Sequence, residues 1–250
     1  MSGNFRRRDL LIGTAIALVG RTTARAGVIA GRLPWQPYAG SPPERAQPGP
    51  WQFFSAEEVP TIEALADRII PPDPETAGGK DAGCAVFLDR QLAGPYGAAE
   101  GLYDLGPFRH GVEQQGPQSA LTPAQTYRAA LAALDEYCRE GHGTGTPGGK
   151  RFAELTPEEQ DQVIKGLEDG AVRLSGIETQ PFFQTLLKDM QEGFFADPIY
   201  GGNRDMCGWK MIGFPGARYE YRDWVSRYNE RFPLPPVGIG GRAEWTPRSD

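Results

Sequence analysis

Two histidines, His110 and His142, are the only imidazoles in the chain, and both fall in stretches without helical or strand periodicity. Imidazole is the side chain best suited to proton transfer near neutrality. Neither histidine has a nucleophile at a meaningful spacing, and no Gly-x-Ser-x-Gly elbow occurs. There is no Cys-x-x-Cys-His for a c-type haem, and no set of Cys, His and carboxylate residues has metal-ligand spacing. Gly141-His142-Gly143-Thr144-Gly145 has the look of a phosphate-cradling loop. It follows a helical pattern instead of a strand and runs on into Thr146-Pro147-Gly148-Gly149, so a flexible connector is expected. Carboxylates are plentiful, but they fall mostly at helix starts and on outer helix faces, where they solvate the surface. No catalytic, cofactor-binding or metal-ligating set emerges, and the chain is not expected to be an enzyme by itself.

The remaining reactive side chains are Cys84, Cys138 and Cys207. An odd number allows at most one intrachain bridge and leaves at least one thiol free or paired with another chain. Three small buried side chains are the equal alternative.

The elements that would position these groups read as helices. Ser55 to Glu58 is a capping box, and Val59, Ile62, Leu65, Ala66 and Ile69 follow at helical spacing. Pro60 fits poorly inside a helix begun at Ser55, so the start shifts toward Pro60; Pro71-Pro72 ends it. Cys84, Phe87, Leu88 and Leu92 share one face of a second helix that stops at Gly94-Pro95. Thr122-Pro123-Ala124-Gln125 opens a third, carrying Tyr127, Leu131, Leu134 and Cys138. Thr156-Pro157-Glu158-Glu159 opens a fourth with the same grammar, closed by Gly170. Residues 179–192 give a fifth, around Phe182, Phe183, Leu186, Leu187 and Met190. No sustained alternation marks a strand. The expectation is an all-α, irregular helical domain with long Gly/Pro/aromatic-rich connections at 94–121 and 141–150, and an extended tail from 196.

The most unusual composition lies between Phe194 and Trp224. Glycines at 201, 202, 208, 213 and 216 allow backbone turns. Among them stand Tyr200, Asn203, Arg204, Trp209, Lys210, Phe214, Arg218 and Trp224. Aromatic and arginine enrichment on an adaptable backbone is the composition of a protein–protein contact, and these eight residues are the candidate partner interface. The alternative is that the aromatics fold onto the protein's own helices.

Ahead of the helices, Arg7-Arg8-Asp9-Leu10-Leu11 reads as a twin-arginine pair leading into an uncharged run from Leu10 to Val19. That run is too short to span a bilayer, which takes about 20 residues. Ala24-Arg25-Ala26 supplies a small-x-small cleavage pattern. Residues 1–26 are therefore expected to be a twin-arginine signal peptide, residues 27–51 an extended proline-rich segment punctuated by Trp35, Tyr38 and Trp51, and residues 52–250 a single helical domain with an extended C-terminal tail. The location expected is the periplasm. The leader holds five arginines and one aspartate, +4 out of a total of −6, which leaves −10 for the remainder. So acidic a domain is a poor partner for nucleic acid or anionic lipid. No later stretch is long and apolar enough to cross a membrane, so membrane association is expected through a partner.

The segment Ala196-Asp197-Pro198-Ile199-Tyr200-Gly201-Gly202-Asn203-Arg204-Asp205-Met206, followed by Gly208-Trp209-Lys210-Met211-Ile212-Gly213-Phe214-Pro215-Gly216, resembles the signature of the gluconate 2-dehydrogenase subunit 3 family. Similarity extends to 54–58, 69–72, 87–97, 152–160 and 193–198, and covers roughly residues 52–237. The resemblance implies the non-catalytic small subunit of a periplasmic dehydrogenase complex that oxidises a sugar or sugar acid. In such a complex a large subunit holds FAD and the substrate, and a multihaem cytochrome c carrying haem c takes the electrons and tethers the assembly to the membrane. The small subunit carries the signal read by the twin-arginine translocon and escorts the large one. It brings no catalytic residues to carry over. A periplasmic sugar-binding module and a stand-alone sugar-modifying enzyme are the rival expectations.

Overall fold

The computed structural model of the chain describes residues 46, 49–101, 106, 108–109, 112, 119–141, 149–218 and 221–240. The leader, most of the proline-rich segment, His110 and His142 lie outside the described residues. Residues 36–250 group into one unit. The fold is all-α: the described residues hold six α-helices and only one isolated bridge, between Gly216 and Val237. None of these helices is long and apolar enough to cross a membrane.

Helix α1 spans Val59–Ile69 and buries Ile62, Leu65 and Ala66. The box ahead of it forms: Ser55 N–H donates to Glu58 Oε2 (2.8 Å) and Glu58 N–H donates to Ser55 Oγ (3.3 Å). The helix nevertheless starts at Val59, one residue before Pro60, whose ring and missing N–H suit the first turn. Helix α2, Cys84–Ala93, leaves Gly83 in the left-handed region (φ 82°). Seven of its ten residues are buried, so it is the central helix of the core rather than an amphipathic surface one. Helices α3, Pro123–Arg139, and α4, Pro157–Asp169, carry the reciprocal caps Thr122/Gln125 and Thr156/Glu159. Gly170 ends α4 at φ 73°, a conformation costly to other residues. Helix α5, Thr179–Phe195, packs most extensively against α2, and also against α4. Tyr127 and Phe182 meet edge to face at 5.4 Å between α3 and α5. Each Leu or Phe fully buried in this core contributes on the order of 1.5–3 kcal/mol.

Not all carboxylates are surface groups. Asp89, Asp135 and Asp189 are buried, each with donors brought from elsewhere in the chain. Asp89, on α2, accepts the successive backbone N–H groups of Gln52, Phe53 and Phe54 at 2.8, 2.9 and 2.9 Å, and pairs with Arg90. Arg128, on α3, lies over the Phe53 ring at 4.1 Å. The segment before α1 is thereby fastened to α2 and α3, and Trp51 lies half-buried against the chain's own core. Asp135 accepts from Phe152 N–H (3.2 Å) and Thr61 Oγ1 (3.3 Å). Asp189 accepts from Tyr127 Oη (2.6 Å) and Tyr96 Oη (3.0 Å). Burial pushes its carboxyl pKa up, and the two hydroxyl donors pull it back.

The tail from 196 is more ordered than an extended strand of loop. It contains a sixth helix, α6, Cys207–Ile212, flanked by left-handed residues at both ends. It is seated by backbone-to-backbone approach. A Cβ built on Gly202 would lie 2.1 Å from the Gly193 carbonyl oxygen, and one on Gly208 2.4 Å from that of Phe194.

Candidate partner interface

The signature begins where α5 ends. Asp197 turns the chain by accepting from Ile199 N–H at 3.0 Å. Three nearby residues that are not glycine, Asn203, Asp205 and Met206, then take positive φ (46°, 54° and 56°). Such residues are uncommon there and the conformation is held only where surroundings over-determine it. The surroundings here are specific. Asn203 is fully buried; its Nδ2 donates to Ala196 O at 2.8 Å, and its Oδ1 accepts Gly208 N–H at 2.9 Å. Arg204 N–H donates to Ala82 O at 3.0 Å, tying the loop to the approach of α2. Ala46 N–H donates to Ile199 O at 2.7 Å, so the proline-rich segment ends on the signature.

This geometry divides the eight candidate interface residues. Tyr200, Arg204, Lys210 and Phe214 are exposed, and Arg204 and Lys210 make no ion pair among the described residues. Arg218 and Trp224 are half-buried: Arg218 Nε donates to Pro215 O at 3.2 Å, and Trp224 packs on Phe232 at 5.1 Å. Asn203 and Trp209 are not available to a partner. Trp209 is 6% exposed, its indole N–H donates to Phe195 O at 2.8 Å, and its ring meets Phe214 edge to face at 5.1 Å. For Trp209 the alternative of folding onto the protein's own helices holds, and the structure makes both residues the inner support of the loop.

In their place the surface presents residues that the composition did not single out. Met211 and Ile212 are 52% and 58% exposed on the outer face of α6. Phe195, Tyr200 and Phe214 are exposed in the same segment, as are Arg204, Asp205 and Lys210. Helical geometry accounts for Met211, which stands two positions from the inward-turned Trp209 and so on the opposite side of the helix; Ile212 is the last residue of the helix, where the chain turns at Gly213. Beside them a cleft of ≈ 890 Å³ runs between α6 and residues 229–232, with Lys210, Met211 and Phe232 in its walls.

All three cysteines are free thiols. Cys84 and Cys138 are buried, and burial pushes both up to about 12, so neither is a thiolate at neutral pH. Cys207 is half-buried on the wall of the cleft. No group of three or more His, Cys, Asp or Glu residues that could hold a metal occurs among the described residues.

Residues 56–216 match the family model described as gluconate 2-dehydrogenase subunit 3. The match spans α1 to the end of the signature, and stops at Gly216. No curated protein and no solved structure gives a significant match.

Proposed function

Because the chain belongs to the gluconate 2-dehydrogenase subunit 3 family, an accessory subunit of a dehydrogenase complex, we propose that it is the non-catalytic partner and export escort of an FAD-dependent large subunit. That large subunit would oxidise a sugar or sugar acid in the periplasm and deliver electrons to a multihaem cytochrome c. The observation that carries this reading is the placement of apolar surface. Among the described residues, eight of the twelve large hydrophobic side chains that stand exposed, Phe195, Tyr200, Met211, Ile212, Phe214, Val225, Tyr228 and Leu234, fall within one stretch, 195–234; the other four are Tyr96, Phe108, Val112 and Leu121. Patches of this kind on a folded domain mark interaction sites. The strained loop that carries them is held rigid by buried Asn203 and Trp209, so little ordering is needed on binding. The escort part rests on Arg7-Arg8, the short apolar run and Ala24-Arg25-Ala26.

The test is copurification of the tagged chain, expressed with its neighbouring genes. The wild-type chain should bring down a large dehydrogenase chain with a flavin spectrum. Met211→Asp combined with Ile212→Asp should reduce that yield about tenfold or more without lowering the melting temperature, since both side chains already face water. Undiminished flavin in the double variant would overturn the assignment of this face. Lysine at both Arg7 and Arg8 should leave both chains on the cytoplasmic side; normal delivery of that variant to the periplasm would end the escort reading.

A further inference from the structure

The chain beyond Gly216 lies outside the region matched to the family, yet it folds into a defined object. Its base is pinned to the body. Ala217 N–H donates to Val237 O at 2.7 Å, Val237 is 1% exposed, and Ile239 N–H donates to Asp197 Oδ2 at 2.6 Å. Tyr221 Oη donates to Gly216 O at 2.7 Å. Above this base the loop has an aromatic centre of its own. Phe232 meets Tyr221 at 6.0 Å and Trp224 at 5.1 Å, with the Arg218 guanidinium 5.2 Å over Phe232 and that of Arg227 4.6 Å over Trp224. Stacking and cation–π contacts hold the loop in shape without help from the main core. Among polar and charged neighbours it exposes two large apolar side chains: Val225 is 70% and Tyr228 82% accessible.

Charge separates along the same line. Residues 52–198 hold eleven Lys and Arg against 24 Asp and Glu, whereas residues 199–242 hold seven against four. A basic segment thus stands on a strongly acidic body. An acidic partner surface is favoured at this segment over the rest of the chain, which biases both the partner and its orientation.

We propose that residues 221–234, within this net-basic segment, form a prefolded hook that seats Val225 and Tyr228 in an apolar hollow with an acidic rim on the dehydrogenase subunit. The hook adds selectivity for that subunit to the contact made by the signature. This rests on the accessory-subunit reading above. Because the loop is shaped before binding, little ordering cost is added on association, and an exposed tyrosine at a loop tip suits a pocket-filling anchor.

The test uses the full complex, pulled down through this chain at low and at high salt, with two variants beside the wild type. Val225→Asp with Tyr228→Asp should lower the recovered dehydrogenase chain about tenfold, with the melting temperature unchanged because both side chains are already in water. Arg231→Glu, which removes an exposed cation without an ion pair among the described residues, should weaken recovery most at low salt and flatten its salt dependence. Full recovery with the Val225/Tyr228 variant, while Met211→Asp/Ile212→Asp abolishes it, would overturn the hook and leave the accessory-subunit reading standing. Full recovery with both would overturn both. If the Val225/Tyr228 variant keeps the dehydrogenase and instead turns a wild-type dimer of this chain into a monomer in light scattering, the hollow belongs to a second copy and the proposal fails.

Discussion

Asp89→Ala is expected to lower stability by about 3–5 kcal/mol, the range for removing one partner of a buried charged network. The carboxylate is fully buried and accepts three consecutive backbone N–H groups besides its pairing with Arg90. Removing it leaves those donors without their acceptor, and the buried Phe54 N–H alone costs about 1–3 kcal/mol before relaxation. Relaxation has one route, release of residues 49–54 from α2. Trp51 and Phe54 would then leave the core. The melting temperature should fall on the order of 10 °C, and Trp51 should become accessible to an aqueous quencher below the melting transition. Asp89→Asn keeps the shape and one acceptor oxygen but sets an amide N–H₂ against a backbone N–H, so its loss should be smaller. A variant with Ala at 89 that melts like the wild type would show that the grip on this segment is incidental.

Gly202→Ala should act at the other end of the signature. Gly202 is buried, and its added methyl would sit 2.1 Å from the Gly193 carbonyl oxygen. Both sides of that contact are backbone, so no side chain can swing aside. Either α5 or the 201–208 loop must shift by an ångström or more, and overpacking of this kind costs about 3 kcal/mol. The shift would move Asn203 from its hydrogen bonds to Ala196 and Gly208, which support the left-handed residues beyond it. Loss of stability should therefore come with loss of the dehydrogenase partner. Gly94→Ala, where the nearest atom would be 3.4 Å away, serves as the control and should change little. Equal behaviour of the two alanine variants would refute the close-approach explanation.

What could be read from the sequence followed from how local each signal is. Thr122-Pro123 with Gln125, and Thr156-Pro157 with Glu159, state a helix start within four residues, and both helices begin there. The all-α class followed from such signals. Helix α6 was not legible, because Asn203, Asp205, Met206 and Gly213 bound it with left-handed backbone, and it has no side-chain cap. Asp89 was not legible either. A carboxylate on a helix is normally a solvated group, and the donors that bury this one lie 35 to 37 residues upstream. For the interface, composition located the right segment but could not say which way each aromatic faces. Trp209 and Asn203 turn inward because Phe195 O, Ala196 O and the Gly208 N–H present them with partners.

The packing of α2 on α5 has a consequence for synthesis on the ribosome. The most buried helix of the core finds its principal neighbour about a hundred residues later in the chain. Loop closure over that distance must precede the contacts that reward it, so this helical protein should fold more slowly than a bundle of sequential hairpins. Until residue 195 has left the exit tunnel, Phe87, Leu88 and Leu92 have no α5 to cover them. The nascent chain then exposes the helix that will be most buried while about a hundred further residues are added, making it a client for a holding chaperone until its last quarter emerges.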